Sequence, residues 1–194
     1  LDDFRVKVHT IPFTTKNMMI LDLKKPIASG SFVSRFDLEQ LNQTLVKQTL
    51  TFDSGQADLR LAFKADVVNL EMQKPFLIGS VVIQNASGTH ISSKKKFNNS
   101  SVDLSFTSKE LKVNQIELNT QNSALKMKGQ SDNFLNFYYD TPEKIQVNWN
   151  IQAQRIDLRD FSFGSGKAAS IKKSTKITPN VINILHQSNA TINL

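Results

Sequence analysis

The sequence contains no cysteine and only three histidines among its 194 residues. The absence of cysteine excludes disulfide bonds and thiolate chemistry within this chain, and it is compatible with an oxidising compartment, where stray thiols are a liability. His9, His90 and His186 lie far apart, and no pair has the spacing that places two zinc ligands on one helix face. We therefore expect no metal site and no cofactor.

Glycine is also scarce, and the seven glycines include no loop of the kind that cradles a phosphate group. The string Gly164-Ser165-Gly166 lacks the flanking strand and helix pattern of a serine nucleophile elbow, so we interpret it as part of a linker. A hydrolase that uses scattered carboxylates stays open as a minor hypothesis, since Asp and Glu side chains need only meet in space. We expect no catalytic residue and predict that the chain is not an enzyme.

Long apolar runs are absent, since no window approaches the roughly 18 consecutive apolar residues that a membrane-spanning helix requires. The chain opens at Leu1 without a methionine or a leader, and residues 190–194 are typical of the opening of a strand, so we expect a fragment of a longer protein. The net charge is +7, but the densest basic run, Lys94-Lys95-Lys96, leads into a polar turn. We expect no nucleic-acid partner; the lysines are typical of solvated loops and protected sheet edges, or of an attraction to anionic membrane surfaces.

Alternation of apolar and polar residues dominates the sequence, and it predicts half-buried β-strands. The alternation is clearest in residues 4–8, 59–67, 102–106 and 145–153, and shorter candidates lie at 19–23, 76–84, 111–118 and 124–128. Turn-rich steps at 53–55, 85–88 and 120–123 separate these stretches and predict antiparallel neighbours. The predicted fold is mainly β with a few short helices: a long, twisted antiparallel meander sheet that could curve into a groove or half-barrel.

Three short helices are predicted within this β-rich chain. The first follows Asp37 through Leu38, Leu41 and Leu45; the second follows a cap at Ser131 or Asp132 and covers 133–138; the third covers 179–186. The predicted organisation is a β-rich body at 1–163, a flexible linker at 164–178, and a short helix with the start of a further strand at 179–194.

A seven-residue pattern occurs twice, at 35–41 and again at 155–161, each time at the end of a strand-like stretch. Asp37 and Asp157 occupy equivalent places, and we interpret each as a helix cap worth about 1 kcal/mol. Architectures that grow by repeating a unit usually offer a long surface rather than a catalytic pocket.

A resemblance extends over roughly residues 30–163 and consists of strand and turn patterns. Its segments are Gly30 to Leu38 with the following helix, Phe52 to Val67, Pro75 to Ala86, Ile116 to Leu118, Ser123 to Gly129 with Asn133 to Leu135, and Ile151 to Phe161. In this order of features the chain resembles the AsmA-like family of Gram-negative envelope proteins, relatives of the TamB group.

The resemblance implies a periplasmic protein held to the inner membrane by an anchor outside this chain, with a role in phospholipid transport or outer-membrane biogenesis. The implied partner is a phospholipid or another acyl-chain ligand lying in an apolar β-groove. Together with the alternation, it suggests these lining residues: Leu59, Leu61, Phe63, Val67, Ile145, Val147, Trp149 and Ile151. The alternative hypothesis is a carbohydrate- or protein-binding β-sandwich on the cell surface, which would bind through exposed aromatic residues such as Tyr138 and Tyr139.

Overall fold

Ten strands form one sheet in the computed structural model of the chain, which describes residues 4–22, 24–44, 49–68, 71–132, 146–157, 160 and 189–193. The strands are β1 (Phe4–Val8), β2 (Ile11–Leu21), β3 (Ile27–Asp37), β4 (Leu50–Val68), β5 (Glu71–His90), β6 (Lys96–Thr107), β7 (Glu110–Asn119), β8 (Ala124–Asp132), β9 (Gln146–Arg155) and β10 (Asn189–Asn193). Their order in the sheet is their order in the sequence.

The sheet is an open meander. Strands β1 to β9 pair antiparallel with their neighbours, β10 lies parallel to β9, and β1 and β10 form the two edges. The mainly β, antiparallel meander predicted from the alternation is therefore confirmed, and the sheet is not closed into a barrel. A β-sandwich contains two sheets packed face to face, whereas all the described strands belong to a single sheet.

Two of the three predicted turns lie inside strands, and these turn predictions are wrong. Residues 53–55 are part of β4 and 85–88 are part of β5, where the strand pairing shifts by bulges. Gly55 has a φ of +125° and Asn85 a φ of 53°, which are backbone conformations that occur in turns and in bulges alike. Because the local signal is the same, only pairing with the neighbouring strand decides between the two. As a result β4 and β5 reach 19 and 20 residues.

The helix predicted after Asp37 exists as a 3-10 turn at Leu38–Gln40 that continues into α1 (Leu41–Thr44), together called the short helix. Asp37 occupies the N-cap position but makes no capping hydrogen bond through its side chain, so the capping interpretation of Asp37 is wrong. Asn42 anchors the helix instead. Its Nδ2 donates to the Phe52 carbonyl at 2.8 Å, and its Oδ1 accepts from the Phe52 N–H at 2.9 Å. The side-chain amide thus pairs with the backbone of Phe52 in the way that the backbone of a neighbouring strand does.

The remaining predicted elements fall beyond the part of the chain that the structure describes. Leu45, the helices predicted at 133–138 and 179–186 and the linker predicted at 164–178 are all in this group. In the second copy of the repeat, the backbone carbonyl of Asp157 accepts a hydrogen bond from the N–H of Asp160 at 2.9 Å.

The short helix is held by the side chain of Leu38, which is completely buried. Leu38 packs into a socket formed by Gly55, Ala57 and Ala86, which we call the Leu38 socket. Partly buried apolar side chains surround it: Phe36, Leu41, Phe52, Ile83 and Phe97. The paired bulges of β4 and β5 bring Gly55, Ala57 and Ala86 together. The two stretches predicted as turns therefore form the surface on which the short helix packs.

Candidate functional site

The strand register divides the sheet into two faces of different chemistry. Residues directly opposite each other in an antiparallel pair point to the same side of a sheet. One row across β3 to β8 consists of Phe32, Leu61, Gly79, Phe106, Leu111 and Ser131. A second row across β3 to β9 consists of Ser34, Leu59, Val81, Leu104, Val113, Gly129 and Trp149, and a third consists of Phe36, Ala57, Ile83, Val102, Ile116, Met127 and Ile151.

These three rows define what we call the apolar face. No position in them carries a charged residue. Their few hydroxyl groups turn back to the main chain: Ser34, which is 2% exposed, donates to the Pro12 carbonyl. Thr15, opposite Phe32 in β2, similarly donates to the Phe4 carbonyl at 3.0 Å. These hydroxyl groups are bonded to backbone carbonyls, so the side chains of the face offer mainly hydrocarbon groups for contact.

Charge is concentrated on the opposite side, the polar face. Arg35 on β3 donates to Asp58 on β4 at 2.7 Å, and Arg60 donates to the same carboxylate at 3.2 Å. The hydrogen bond from Arg35 and then that from Arg60 lower the pKa of Asp58, and partial burial opposes them. Further along the sheet, Lys126 on β8 pairs with Glu117 on β7 at 3.0 Å. These ion pairs keep the charged side chains of neighbouring strands together on the polar face.

On the apolar face, glycines lie opposite aromatic residues of the next strand. A Cβ atom added at Gly129 would lie 2.9 Å from Cε3 of Trp149, and one at Gly79 would lie 2.7 Å from Cζ of Phe106. The rings therefore lie over the glycine backbone, an arrangement that compensates for the missing side chain. The four pairs with this arrangement are Gly30 with Phe63, Gly79 with Phe106, Gly88 with Phe97, and Gly129 with Trp149. The glycine and the aromatic residue of each pair lie on different strands, so the pairing cannot be recognised in the sequence of either strand, and the sequence analysis did not predict it.

The lining residues predicted from the sequence lie mostly on this face. Leu59, Leu61 and Phe63 alternate along β4, and Val67 continues the same phase towards its end. Phe63 is buried to 8% exposure and stacks on Phe32, with ring centroids 5.5 Å apart.

Strand β9 supplies the other predicted lining residues. Trp149 and Ile151 occupy the second and third rows, and the indole Nε1 of Trp149 is buried without a hydrogen-bond partner. Val147 lies in β9 opposite Ser131, Ile145 lies outside the described residues, and so do Tyr138 and Tyr139.

The two ends of the apolar face differ. At one end, the helix end, the short helix packs against β4. At the other, the open end, β2 finishes and β5 begins, and the apolar side chain of Ile20 remains 67% exposed there. Among the described elements, extensive packing occurs only between neighbouring strands and between the short helix and β4. The apolar face therefore has no second described layer over it.

The titratable side chains of the described part do not converge on a reactive centre. No three of its histidines and acidic residues come together as ligands for a metal ion. His90 Nδ1 lies 2.8 Å from Ser93 Oγ within a single turn. Asp160 accepts hydrogen bonds from the hydroxyls of Thr120 at 2.6 Å and Ser123 at 2.9 Å. Both bonds lower the pKa of Asp160, and the bond from Thr120 has the larger effect. The contact of His90 lies within one turn, and the bonds of Asp160 join it to the turn between β7 and β8.

Comparison with known proteins adds no relative: no family model, no curated protein and no solved structure matches the chain. None of the helices that the structure describes has the length and apolar character needed to cross a membrane.

Proposed function

We propose that the chain is a non-enzymatic module whose apolar face binds the acyl chains of a phospholipid. The observation that carries this proposal is the continuity of that face: three neighbouring rows, one across six strands and two across seven, contain no charged residue. Soluble proteins rarely leave an apolar surface of this extent without a partner, and such a surface usually marks an interaction site. No described element other than the short helix packs over it.

The dimensions suit an acyl chain. Seven strands at a spacing of about 4.8 Å give the face a width of about 29 Å, whereas the acyl chains of one bilayer leaflet span about 15 Å. Each methylene group removed from water contributes about 0.8 kcal/mol, so a chain lying along the rows would gain a substantial binding free energy without any polar contact. The hydroxyl groups of Ser34 and Thr15 are engaged with the backbone and do not interrupt that contact.

The resemblance to AsmA-like proteins gives this binding a biological setting within the same proposal. In that setting the module belongs to a periplasmic protein anchored in the inner membrane of a Gram-negative envelope, and it takes part in phospholipid transport or outer-membrane biogenesis. The open end would let an acyl chain slide onto the face, since the short helix occupies the other end.

The single tryptophan of the chain provides a direct test, because Trp149 lies on the apolar face. Phospholipid with brominated acyl chains quenches tryptophan fluorescence on contact. We expect quenching of Trp149 when the purified protein is mixed with this lipid below its aggregation concentration. A matched control moves the reporter by one residue to the polar face, through Trp149→Phe combined with Asn150→Trp, and we expect that variant to remain unquenched.

A second pair of variants tests the binding itself. Leu61→Asn places an amide in the first row, whereas Ala62→Asn places the same group on the polar face. We expect only Leu61→Asn to weaken binding of a fluorescent acyl-chain phospholipid, with circular dichroism used to verify that both variants are folded. Absence of quenching in the parent protein, or equal quenching of both reporter positions, would reject acyl-chain binding at this face.

A further inference from the structure

We propose that the open end of the sheet docks on the surface of an anionic lipid bilayer. This inference goes beyond acyl-chain binding on the apolar face and does not require it. It rests on a separate group of side chains, located where β2 finishes and β5 begins.

Large apolar side chains are exposed at this end on both sides of the sheet. Met19, Ile20 and Leu21 form the last residues of β2 and are 49%, 67% and 43% exposed. Phe76 and Ile78, in the first half of β5, are also about half exposed and point to the polar face. Such side chains are costly to leave in water and are typical of segments that enter the boundary between headgroups and acyl chains.

Basic residues accompany these apolar side chains. One row on the polar face runs from Met19 through Ser29 and Lys64 to Phe76, so Lys64 lies between the two exposed apolar residues. Lys16 occupies the adjacent row, beside Ser31.

The turn from β2 to β3 adds Lys24 and Lys25. Asp22 is engaged in that turn, where its Oδ1 accepts the backbone N–H groups of Lys24 at 3.0 Å and Lys25 at 3.3 Å. The stretches 16–25 and 64–74, which meet at the open end, together carry five lysines and three acidic residues (Asp22, Asp66 and Glu71), so the formal charge of this end is positive.

The combination selects a bilayer over a protein partner of neutral surface. Juxtaposed apolar and basic side chains match the two layers of an anionic membrane interface, where each lysine near the surface strengthens binding by about fivefold. The described residues of the helix end expose fewer apolar side chains. Its lysines, Lys94 to Lys96, lie in and directly after the turn between β5 and β6, Leu38 is fully buried, and the exposed large apolar residue at that end is Ile156 at 37%. A simple attraction by net charge would therefore involve both ends, whereas docking by the open end would involve one.

Co-sedimentation of the full chain with large vesicles tests the proposal. One set of vesicles is phosphatidylcholine, and the other is phosphatidylcholine with phosphatidylglycerol as the minor lipid. We expect binding to the anionic vesicles only, and it should weaken as salt concentration rises because the attraction is screened.

Four variants locate the docking surface. Phe76→Ser with Ile78→Ser, and separately Lys16→Gln with Lys64→Gln, should each weaken binding at least fivefold. The matched controls at the helix end are Ile156→Ser, an apolar residue 37% exposed, and Lys94→Gln with Lys95→Gln; both should bind like the parent. Urea unfolding curves of the four variants show whether a loss of binding reflects a loss of folding.

The proposal would be overturned if the Lys94→Gln, Lys95→Gln variant lost as much vesicle binding as the Lys16→Gln, Lys64→Gln variant. It would also be overturned if the parent protein bound neither type of vesicle. The outcome is separable from that of the acyl-chain hypothesis. Vesicle docking with no quenching of Trp149 by brominated lipid would support this inference and reject the proposed function, whereas quenching by monomeric lipid without vesicle docking would do the reverse.

Discussion

A Cβ atom at position 55 would lie 2.7 Å from Cδ1 of Leu38, so the side chain of Leu38 fits between β4 and β5 only because Gly55 has no side chain. Gly55 also adopts a φ of +125°, which L-amino acids with a side chain rarely adopt. The helix end of the apolar face is thus closed by one leucine in a socket of small residues. Loss of this fit should both destabilise the fold and open that end.

Leu38→Ala is expected to lower the free energy of unfolding by about 2 to 5 kcal/mol, because it leaves a cavity at a fully buried site. Urea denaturation followed by circular dichroism measures the change. Val33→Ala is the control, since Val33 is 37% exposed on the polar face and should cost much less. Equal costs for the two variants would contradict the assignment of Leu38 as the anchor of the short helix.

Gly55→Ala should destabilise the protein through both its unfavourable φ and its contact with Leu38. In the double variant with Leu38→Ala, part of this cost should disappear, because the added methyl group can occupy the space that Leu38 leaves. A remainder should persist, since the new Cβ would still lie 2.8 Å from the Cα of Ala86. Strictly additive costs in the double-mutant cycle would show that the two positions do not share a contact.

Asn42→Ala should reduce the free energy of unfolding by about 1 to 3 kcal/mol, because the N–H and C=O groups of Phe52 lose their side-chain partners. The exposed neighbour Gln43 offers the control variant Gln43→Ala, which should be almost neutral. Amide hydrogen exchange gives a local readout: the N–H of Phe52 should exchange faster in Asn42→Ala. Unchanged exchange at Phe52 would argue against this role of Asn42.

Gly129→Ala should displace the ring of Trp149, since the new methyl group would lie 2.9 Å from the ring carbon Cε3. Because Trp149 is the single tryptophan of the chain, its fluorescence reports the displacement directly, and we expect an emission shift to longer wavelength as the ring becomes more exposed. Lys128→Ala changes the adjacent residue on the polar face and should leave the spectrum as it is. A Gly129→Ala spectrum identical to that of the parent would refute the close packing of this pair.

Asp58 should contribute a small pH dependence to stability. Its pKa is lowered in the folded state by the hydrogen bonds from Arg35 and Arg60. Its contribution is therefore fully present above the ordinary aspartate range near pH 4 and is lost as the pH falls through the lowered folded value. Because the ion pair is partly solvated, we expect the effect to stay below about 1 kcal/mol and to decrease with salt.

NMR titration of the Asp58 carboxyl carbon tests this directly. Arg35→Gln should raise its pKa towards the ordinary value, whereas Lys126→Gln, which alters a separate ion pair, should not. A pKa of Asp58 that is unchanged by Arg35→Gln would contradict the assigned cause.

Alternation along single strands was enough to predict the mainly β meander and the two sides of β4. Leu59, Leu61 and Phe63 point to one side because side chains alternate in any extended strand, whatever its neighbours are. The start of the short helix at Leu38 was also visible in the local sequence. Its hydrogen bonding was not, since Asp37 makes no capping bond and the bonds are made instead by Asn42, whose partner Phe52 lies ten residues away.

The sequence by itself therefore determined which side chains share a face within each uninterrupted stretch of strand, such as residues 59–63 of β4, because this follows from a period of two residues. Tertiary structure alone decided that the stretches around Gly55 and Asn85 are bulges inside long strands, that aromatic rings lie over glycines of the next strand, and that Leu38 closes one end of the apolar face. Each of these depends on the register between strands, which is set by interactions between residues distant in the sequence and leaves no local pattern.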